Sequence, residues 1–253
     1  MAATSDPKDF YTGLVAQLYE PLRSSTFDPE PYARFIGVAG EPALELGCGA
    51  GDPLLGLRKR GLDVEGLDAS ADMLTRCRDA ASAEGIDVVL HHQAMQSMDL
   101  GRRYASIFLA GATFNLLPSD DDARRALQRI HDHLLPGGSA LIPLFIPAPT
   151  APPLLGVPRE HRTEDGTVMK VAFVSEVRDE EARLQTAVLR YERTTSSATE
   201  AIERSWVLHW HTQNGFRALV EDADLDVKAV RGPGGRPASE DDDQFAFWVT
   251  RRA

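Results

Sequence analysis

The sequence predicts an α/β fold built on an open, doubly wound and mostly parallel sheet. Three observations predict it. Short apolar runs alternate with amphipathic stretches from Glu41 to Ile146, the signature of parallel strands joined by crossover helices. A glycine-rich turn, Gly47-Cys48-Gly49-Ala50-Gly51, follows the first run. An acid, Asp68, ends the second run, 19 residues after Gly49.

Each element has a local cause. Ala43–Leu46 is the first strand. Asp52 sits as an N-cap after the glycine turn, Pro53 takes the first helical position, and Gly61 closes the helix. Val64–Leu67 forms the second strand. Ser70 caps the next helix, whose residues Met73, Leu74, Cys77 and Ala81 share a face before Gly85 stops it. Ile86–Leu90 and Ala105–Ala110 read as the third and fourth strands. Ser119 with Asp122 three residues on starts a helix with Asp120 and Asp121 at its positive end. Its buried face is Ala123, Ala126, Leu127, Ile130 and Leu134. Pro136-Gly137-Gly138 then terminates it ahead of a fifth strand, Ala140–Ile146.

The chain then changes character. Pro147–Pro158 is a stiff, proline-rich crossing segment. Val168–Val177, Leu184–Thr194 and Ile202–Trp210 lean towards β structure and read as an antiparallel meander. A helix (Asn214–Ala223), a strand (Val227–Val230), a Gly/Pro turn and a final strand (Phe245–Thr250) complete the pattern. The acidic run Glu240–Asp243 reads as a solvated loop. The expected division is a core over 1–150, an insertion over 151–211 and a return to the core sheet over 212–253. No repeat period is present.

Composition narrows the function classes. The 253 residues carry 27 Lys and Arg against 38 Asp and Glu, a formal net charge of −11. That balance opposes binding to nucleic acid or an anionic membrane, which needs clustered cations. Two cysteines cannot form a disulfide scaffold and suit a reducing compartment, so a cytoplasmic location is expected. Met1–Phe10 is acidic and has no apolar core of a secretory leader. The longest uncharged stretch, Leu134–Pro158, holds seven prolines and cannot span a bilayer as one helix.

The chemistry lies in the glycine turn, where a ligand lies against backbone that a Cβ would block. Asp68 at the next strand end suits the two hydroxyls of a ribose, which fits any adenosine ligand. A dinucleotide fingerprint reads G-x-G-x-x-G, but here the third glycine comes early, at Gly51, and Asp52 follows. A carboxylate facing a pyrophosphate at ~4 Å costs about 4 kcal/mol at an effective dielectric near 20. Glu45, two residues before the first glycine, opposes phosphate as well. A nucleoside without phosphate and with positive charge suits both acids.

S-adenosyl-L-methionine has that character, and here the sequence resembles the class I methyltransferases that use it. Glu45-Leu46-Gly47-Cys48-Gly49-Ala50-Gly51 resembles their glycine-rich motif, Gly66-Leu67-Asp68-Ala69-Ser70 their acidic ribose loop, and Leu134–Ile142 the turn into their fifth strand. The resemblance implies a Rossmann-like core. It places Gly47, Cys48, Gly49 and Gly51 against the methionine part, Asp68 on the ribose, and Ala69 and Met73 near the adenine. Gln93-Ala94-Met95 matches the adenine loop, with Ala94 where many relatives have Asp. Ala110, Gly111, Phe114 and Asn115 match the stretch that faces cofactor and substrate.

Within that family the sequence is most similar to bacterial small-molecule N-methyltransferases of the amino-sugar and antibiotic type. Their plan implies an N-terminal helical lid, here 1–38, and the inserted sheet after the fifth strand. Tyr11 and Tyr19, eight residues apart on similar faces of a helix, would close over the sulfonium. A His found near Asn115 in some amino-sugar relatives is absent. Small-molecule O-methylation, a nicotinamide-dependent oxidoreductase and a silent cofactor-binding protein are the alternatives.

The histidines complete the reading. His209 and His211 share one strand face, with Trp210 opposite. His209 is a candidate base for the acceptor, and nothing in the sequence completes a metal ligand set around the pair. His131 and His133 read as surface residues, His91 and His92 as the pocket rim, and Cys48 as a small apolar residue beside the ligand. Edge strands of the meander leave room for a homo-oligomer.

Overall fold

A computed structural model describes residues 7–23 and 26–252; Asp6, part of the acidic N-terminal stretch, lies outside them. The core is a seven-stranded sheet of β1 (Ala43–Leu46), β2 (Val64–Asp68), β3 (Leu90–His92), β4 (Tyr104–Leu109), β5 (Leu134–Phe145), β10 (Leu225–Arg231) and β11 (Gln244–Arg251), in the order β10-β11-β5-β4-β1-β2-β3. β1 through β5 are parallel; β11 runs antiparallel between β5 and β10. The strand order reverses between β1 and β4, so the loops after these two strands diverge and open a crevice at their carboxyl ends.

Helices cover both faces. Every residue of β1 is buried, as a strand between two helical layers requires. One core cluster joins Leu44, Leu46, Ile107 and Leu109 to α6 (Asp120–His133) and α7 (Gln213–Asp222). Its aromatic centre is Phe216, edge-on to Phe114 at 5.2 Å and to Phe247 at 4.9 Å. The opposite cluster packs Ala43, Val64 and Phe108 against α3 (Glu30–Ala39), α4 (Leu54–Lys59) and α5 (Ala71–Ala83). Two caps follow the sequence signals, Ser70 accepting from Met73 N and Ser119 from Asp122 N; Thr212 also caps α7, accepting from Gly215 N.

The expected meander is a separate four-stranded antiparallel sheet: β6 (Arg159–Arg162), β7 (Val168–Asp179), β8 (Leu184–Thr194) and β9 (Thr199–His209). β6 has no apolar alternation and is exposed throughout, which is why the pattern did not reveal it. One face of this sheet, through Val171, Ala187, Leu189 and Tyr191, packs on Phe10, Val15, Leu18 and Leu22 of α1 (Pro7–Phe10) and α2 (Leu14–Leu22). The insertion and the N-terminal lid therefore share one small core.

Several expectations are corrected. Tyr11 and Tyr19 are not on one helix: Gly13, at φ +54°, breaks the chain between α1 and α2. Asp52 caps nothing; Pro53 is the N-cap of α4, without a side-chain hydrogen bond. β3 starts at Leu90, because Ile86 N is spent on Ala81 O at the end of α5. Pro136–Gly138 lies inside β5 as an irregularity in the pairing with β4, where a Cβ on Gly138 would meet the Ala105 carbonyl at 3.0 Å. His133 is buried, its Nε2 accepting from Leu100 N at 2.9 Å and its Nδ1 donating to Arg129 O at 2.7 Å.

Phe216→Ala removes the ring on which the two aromatic contacts depend. It should destabilise the protein by about 3–5 kcal/mol, read as a lower urea midpoint with an unchanged slope.

Candidate active site

The crevice at the carboxyl ends of β1 and β4 holds two adjoining chambers that share Tyr11, Tyr19, Gly47, Gly49, Thr113 and Leu116. The first is completed by Leu67, Asp68, Ala69, Ser70, Met73, Ala94, Met95, Gln96 and Leu117. The second is completed by Arg23, Phe27, Cys48, Ala50, Asp52, Ala110, Gly111, Ala112, Phe145, Trp206 and Leu208.

The glycine turn is fixed by its neighbours. Gly47 N and Cys48 N both donate to Leu67 O, at 2.7 and 3.0 Å. Gly49 N donates to Asp68 Oδ2 and Ser70 N to Asp68 Oδ1, each at 2.8 Å. Burial raises the Asp68 pKa, and the Ser70 and Gly49 amides oppose that rise by favouring the charged form. Gly47 and Gly49 have φ of +72° and +54°, left-handed backbone that glycine adopts without penalty. A Cβ on Gly47 would collide with the Thr113 side chain.

The lid is tied to the same place. Ser70 Oγ donates to Tyr11 O at 2.5 Å, and Gly13 N donates to Asp72 Oδ2 at 2.6 Å. Tyr11 and Tyr19 meet edge to face, 5.5 Å between centroids. Burial raises the pKa of both hydroxyls, so they stay protonated at neutral pH.

Charge in the cleft is distributed differently from the sequence reading. Asp52 pairs with Arg23 at 2.7 Å and accepts from Phe27 N at 3.0 Å, so its repulsion of a phosphate is largely offset. Glu45 is fully buried, and its carboxylate oxygens have no hydrogen-bond partner among the described residues. Burial holds its pKa well above the ordinary value, with Asp52 and Asp68 adding to the rise. What disfavours a pyrophosphate here is the loss of donors at the start of α4. Pro53 has no N–H, and Leu55 N is bonded to Gly51 O at 2.8 Å.

Of the sequence-predicted residues, the structure brings Tyr11, Tyr19, Gly47, Cys48, Gly49, Asp68, Ala69, Met73, Ala94, Met95 and Ala110 to the cleft. Gly51 is outside the lining, where a Cβ would press on Leu55 and Cys77. Gln93 braces its own loop, accepting from Asp99 N at 2.7 Å, and Gln96 lines the chamber in its place. Phe114 is wholly buried in the aromatic core. Asn115 is also buried, its Nδ2 donating to Phe145 O at 3.0 Å and to His209 O at 2.9 Å, so it braces the loop from behind. His209 turns away towards Asp120. Burial keeps Cys48 a thiol by raising its pKa. The sequence reading missed Thr113, Leu116, Arg23, Phe27, Phe145, Trp206 and Leu208. Only Thr113 and Leu116 had a signal, their place beside the motif at the end of β4.

Comparison with known proteins agrees with this architecture. Residues 43–138, the stretch that carries the glycine turn and the strand-end acid, match the family described as "Methyltransferase domain". Over 149 residues the chain is 30% identical to a dTDP-3-amino-3,6-dideoxy-alpha-D-glucopyranose N,N-dimethyltransferase of Streptomyces fradiae, covering 56% of this chain and 57% of that protein. A dTDP-3-amino-3,4,6-trideoxy-alpha-D-glucopyranose N,N-dimethyltransferase of Streptomyces venezuelae is 30% identical over 39% of this chain and 40% of its own length. The chain thus spans about half the length of the curated relatives it matches. Among solved structures, the CcbJ methyltransferase of Streptomyces caelestis superposes with a TM-score of 0.77 at 20% identity, over 98% of this chain and 99% of that one. DesVI of Streptomyces venezuelae does so with 0.72 at 22%, over 94% and 97%. These likenesses extend the shared fold across the lid and the insertion.

The residues present fit S-adenosyl-L-methionine: a buried Glu45 carboxyl without a hydrogen-bond partner among the described residues, an acid at the strand end, and amides at the start of α4 that are missing at Pro53 or engaged at Leu55.

Asp68→Ala should weaken S-adenosylhomocysteine binding by about 1.5–3 kcal/mol, the range for hydrogen bonds to a charged group; calorimetry reads it directly. Glu45→Gln tests the buried acid by pH. Above the ordinary carboxylate pKa of 4.5 the unfolded chain releases this proton while the folded chain retains it, so the wild type loses stability as pH rises. The variant should match the wild type near that pH and gain melting temperature over it with each step towards neutrality.

Proposed function

We propose that the protein is an S-adenosylmethionine-dependent methyltransferase that acts on a nitrogen of a small-molecule, amino-sugar-like amine. The observation that carries the reading is the paired chambers meeting beneath Tyr11 and Tyr19. When bound in the first chamber, S-adenosylmethionine supplies an electrophilic methyl group. Asp68 would hold the ribose hydroxyls, Gly47 and Gly49 the methionine portion, and Ala69, Met73, Ala94 and Met95 the adenine.

The second chamber orients the acceptor. Phe27, Phe145, Trp206 and Leu208 give it apolar walls, and Tyr11 and Tyr19 line both chambers. Placing a lone pair in line with the methyl carbon supplies much of the rate in such a displacement. Among the described lining residues there is no imidazole, and the carboxylates are engaged: Asp52 by Arg23 and Asp68 by two amides. An acceptor that arrives already nucleophilic fits this lining. That favours a neutral amine over a hydroxyl, which needs a base. The tyrosine oxygens accept the amine N–H and leave its lone pair free. The sugar N,N-dimethyltransferases among the relatives support a sugar-borne amine.

A cytoplasmic setting and a homo-oligomer belong to the same proposal. Two unpaired buried thiols support the first, and β6, an exposed edge strand, supports the second. No helix among the described residues is long and apolar enough to cross a membrane.

The test is incubation with S-adenosylmethionine and a panel of amino sugars, free and nucleotide-linked, followed by mass spectrometry and NMR of the product. Methyl groups on nitrogen are expected; methylation of oxygen alone, or no turnover of any amine, overturns the reading. Tyr19→Phe should lower kcat about fivefold, the equivalent of one hydrogen bond worth ~1 kcal/mol, with S-adenosylhomocysteine affinity unchanged. Steady-state kinetics beside calorimetry separate the two effects.

A further inference from the structure

One layer behind the cleft, three side chains from distant parts of the chain converge. Asp120 opens α6, His209 ends β9, and His211 follows it. Among the described residues they are the one group of His, Cys, Asp or Glu whose ligand atoms all lie within 4.8 Å of one another. His209 Nε2 is 3.5 Å from Asp120 Oδ1, and His211 Nδ1 is 3.8 Å from the same oxygen. The two imidazoles are 3% and 0% exposed, while Asp120 keeps one side open to solvent at 37%.

These separations are too long for hydrogen bonds between charged or neutral partners, which close at about 2.7–3.2 Å. They match something else. Two ligands held by one ion at ~2.1 Å in tetrahedral geometry stand about 3.4 Å apart. Asp120 Oδ1 is buried with no hydrogen-bond partner among the described residues, and both imidazole nitrogens lie within 3.8 Å of it.

The carboxylate is held in place by a cation. Arg183 Nη2 holds the other oxygen of Asp120, Oδ2, at 2.5 Å, which fixes the carboxylate and leaves Oδ1 pointing inwards. Phe114 stacks edge-on against His211 at 6.2 Å, and the outer ring nitrogens, His209 Nδ1 and His211 Nε2, are buried without a hydrogen-bond partner among the described residues. The competitor is also visible: Arg183 Nη1 reaches His211 Nδ1 at 3.4 Å, so the same guanidinium is the local cation when no ion is bound.

From this geometry we propose that Asp120 Oδ1, His209 Nε2 and His211 Nδ1 form a site for a divalent transition metal of the zinc type. Water fills the fourth position from the exposed side of Asp120. The site is structural. It joins the first turn of α6 in the core to the end of β9 in the insertion, and through the Asn115 bond to His209 O it stiffens the loop that walls the cleft. It owes nothing to methyl transfer and stands or falls independently of that reading.

The test uses full-length, tag-free protein stripped with a chelator and titrated with Co²⁺, then with Zn²⁺ in competition. One equivalent of Co²⁺ should give the visible absorption of a four-coordinate ion, and Zn²⁺ should displace it and raise the melting temperature. Asp120→Asn and His211→Asn should each lose at least ~100-fold in affinity, beyond the 10–100-fold typical of an outer-shell partner. His161→Ala, on exposed β6, should bind as the wild type does. Should a variant fail to fold, X-ray absorption of the Zn²⁺-loaded wild type decides. Two imidazole nitrogens with oxygen ligands support the site; a shell without imidazole overturns it. Absence of stoichiometric binding to the wild type also overturns it, and assigns the cluster to Arg183 alone.

Discussion

A single carboxylate at the end of β2 organises the cleft. Asp68 takes the amide of Gly49 with one oxygen and that of Ser70 with the other, so it joins the glycine turn to the start of α5. Ser70 passes the constraint on by donating its hydroxyl to the Tyr11 carbonyl. Turn, helix and lid are thereby held around one buried charge. Hydrogen bonds to its charged form offset part of the cost of burying it, and the residue lines the first chamber. Without that anchor the turn would keep the two amides bonded to Leu67 O and the bond from Gly51 N to Cys48 O.

The chambers differ in how they are made. The first is formed almost wholly by the ends of parallel strands and the helix that follows β2, elements fixed by the central sheet. The second takes Arg23 and Phe27 from the N-terminal segment, Phe145 from β5 and Trp206 and Leu208 from β9. Tyr11 and Tyr19 belong to both because the lid rests on α5 from one side and on the inserted sheet from the other. Arg76 with Glu20, at 2.6 Å, and Arg193 with Gln17, at 2.7 Å, mark those two supports.

The sequence showed the sheet and the first chamber well, because both depend on local grammar. Strand runs, glycine turns, Ser70 and Ser119 caps and Asp68 at a strand end are all readable within a few residues. Tertiary effects were invisible to it. Phe114 and Asn115 were expected in the cleft from their place after β4. A tight 3₁₀ turn over Thr113–Leu116 instead presents Thr113 and Leu116 and rotates the other two into the core. Asp52 looked like a helix cap, and its partner Arg23 lies 29 positions earlier (52 − 23 = 29). The pair His209 and His211 showed only its strand periodicity, whereas Asp120 reaches them from the opposite sheet's helix. Long-range partners of this kind leave no trace in periodicity or spacing.

The apolar wall of the second chamber stands outside residues 43–138. On the proposed function, substitutions at Phe27, Phe145, Trp206 or Leu208 would change which molecule is accepted without touching the glycine turn or Asp68. Selection would then have two nearly separate sets of positions to act on, one constrained by the cofactor and one free to diversify with the acceptor.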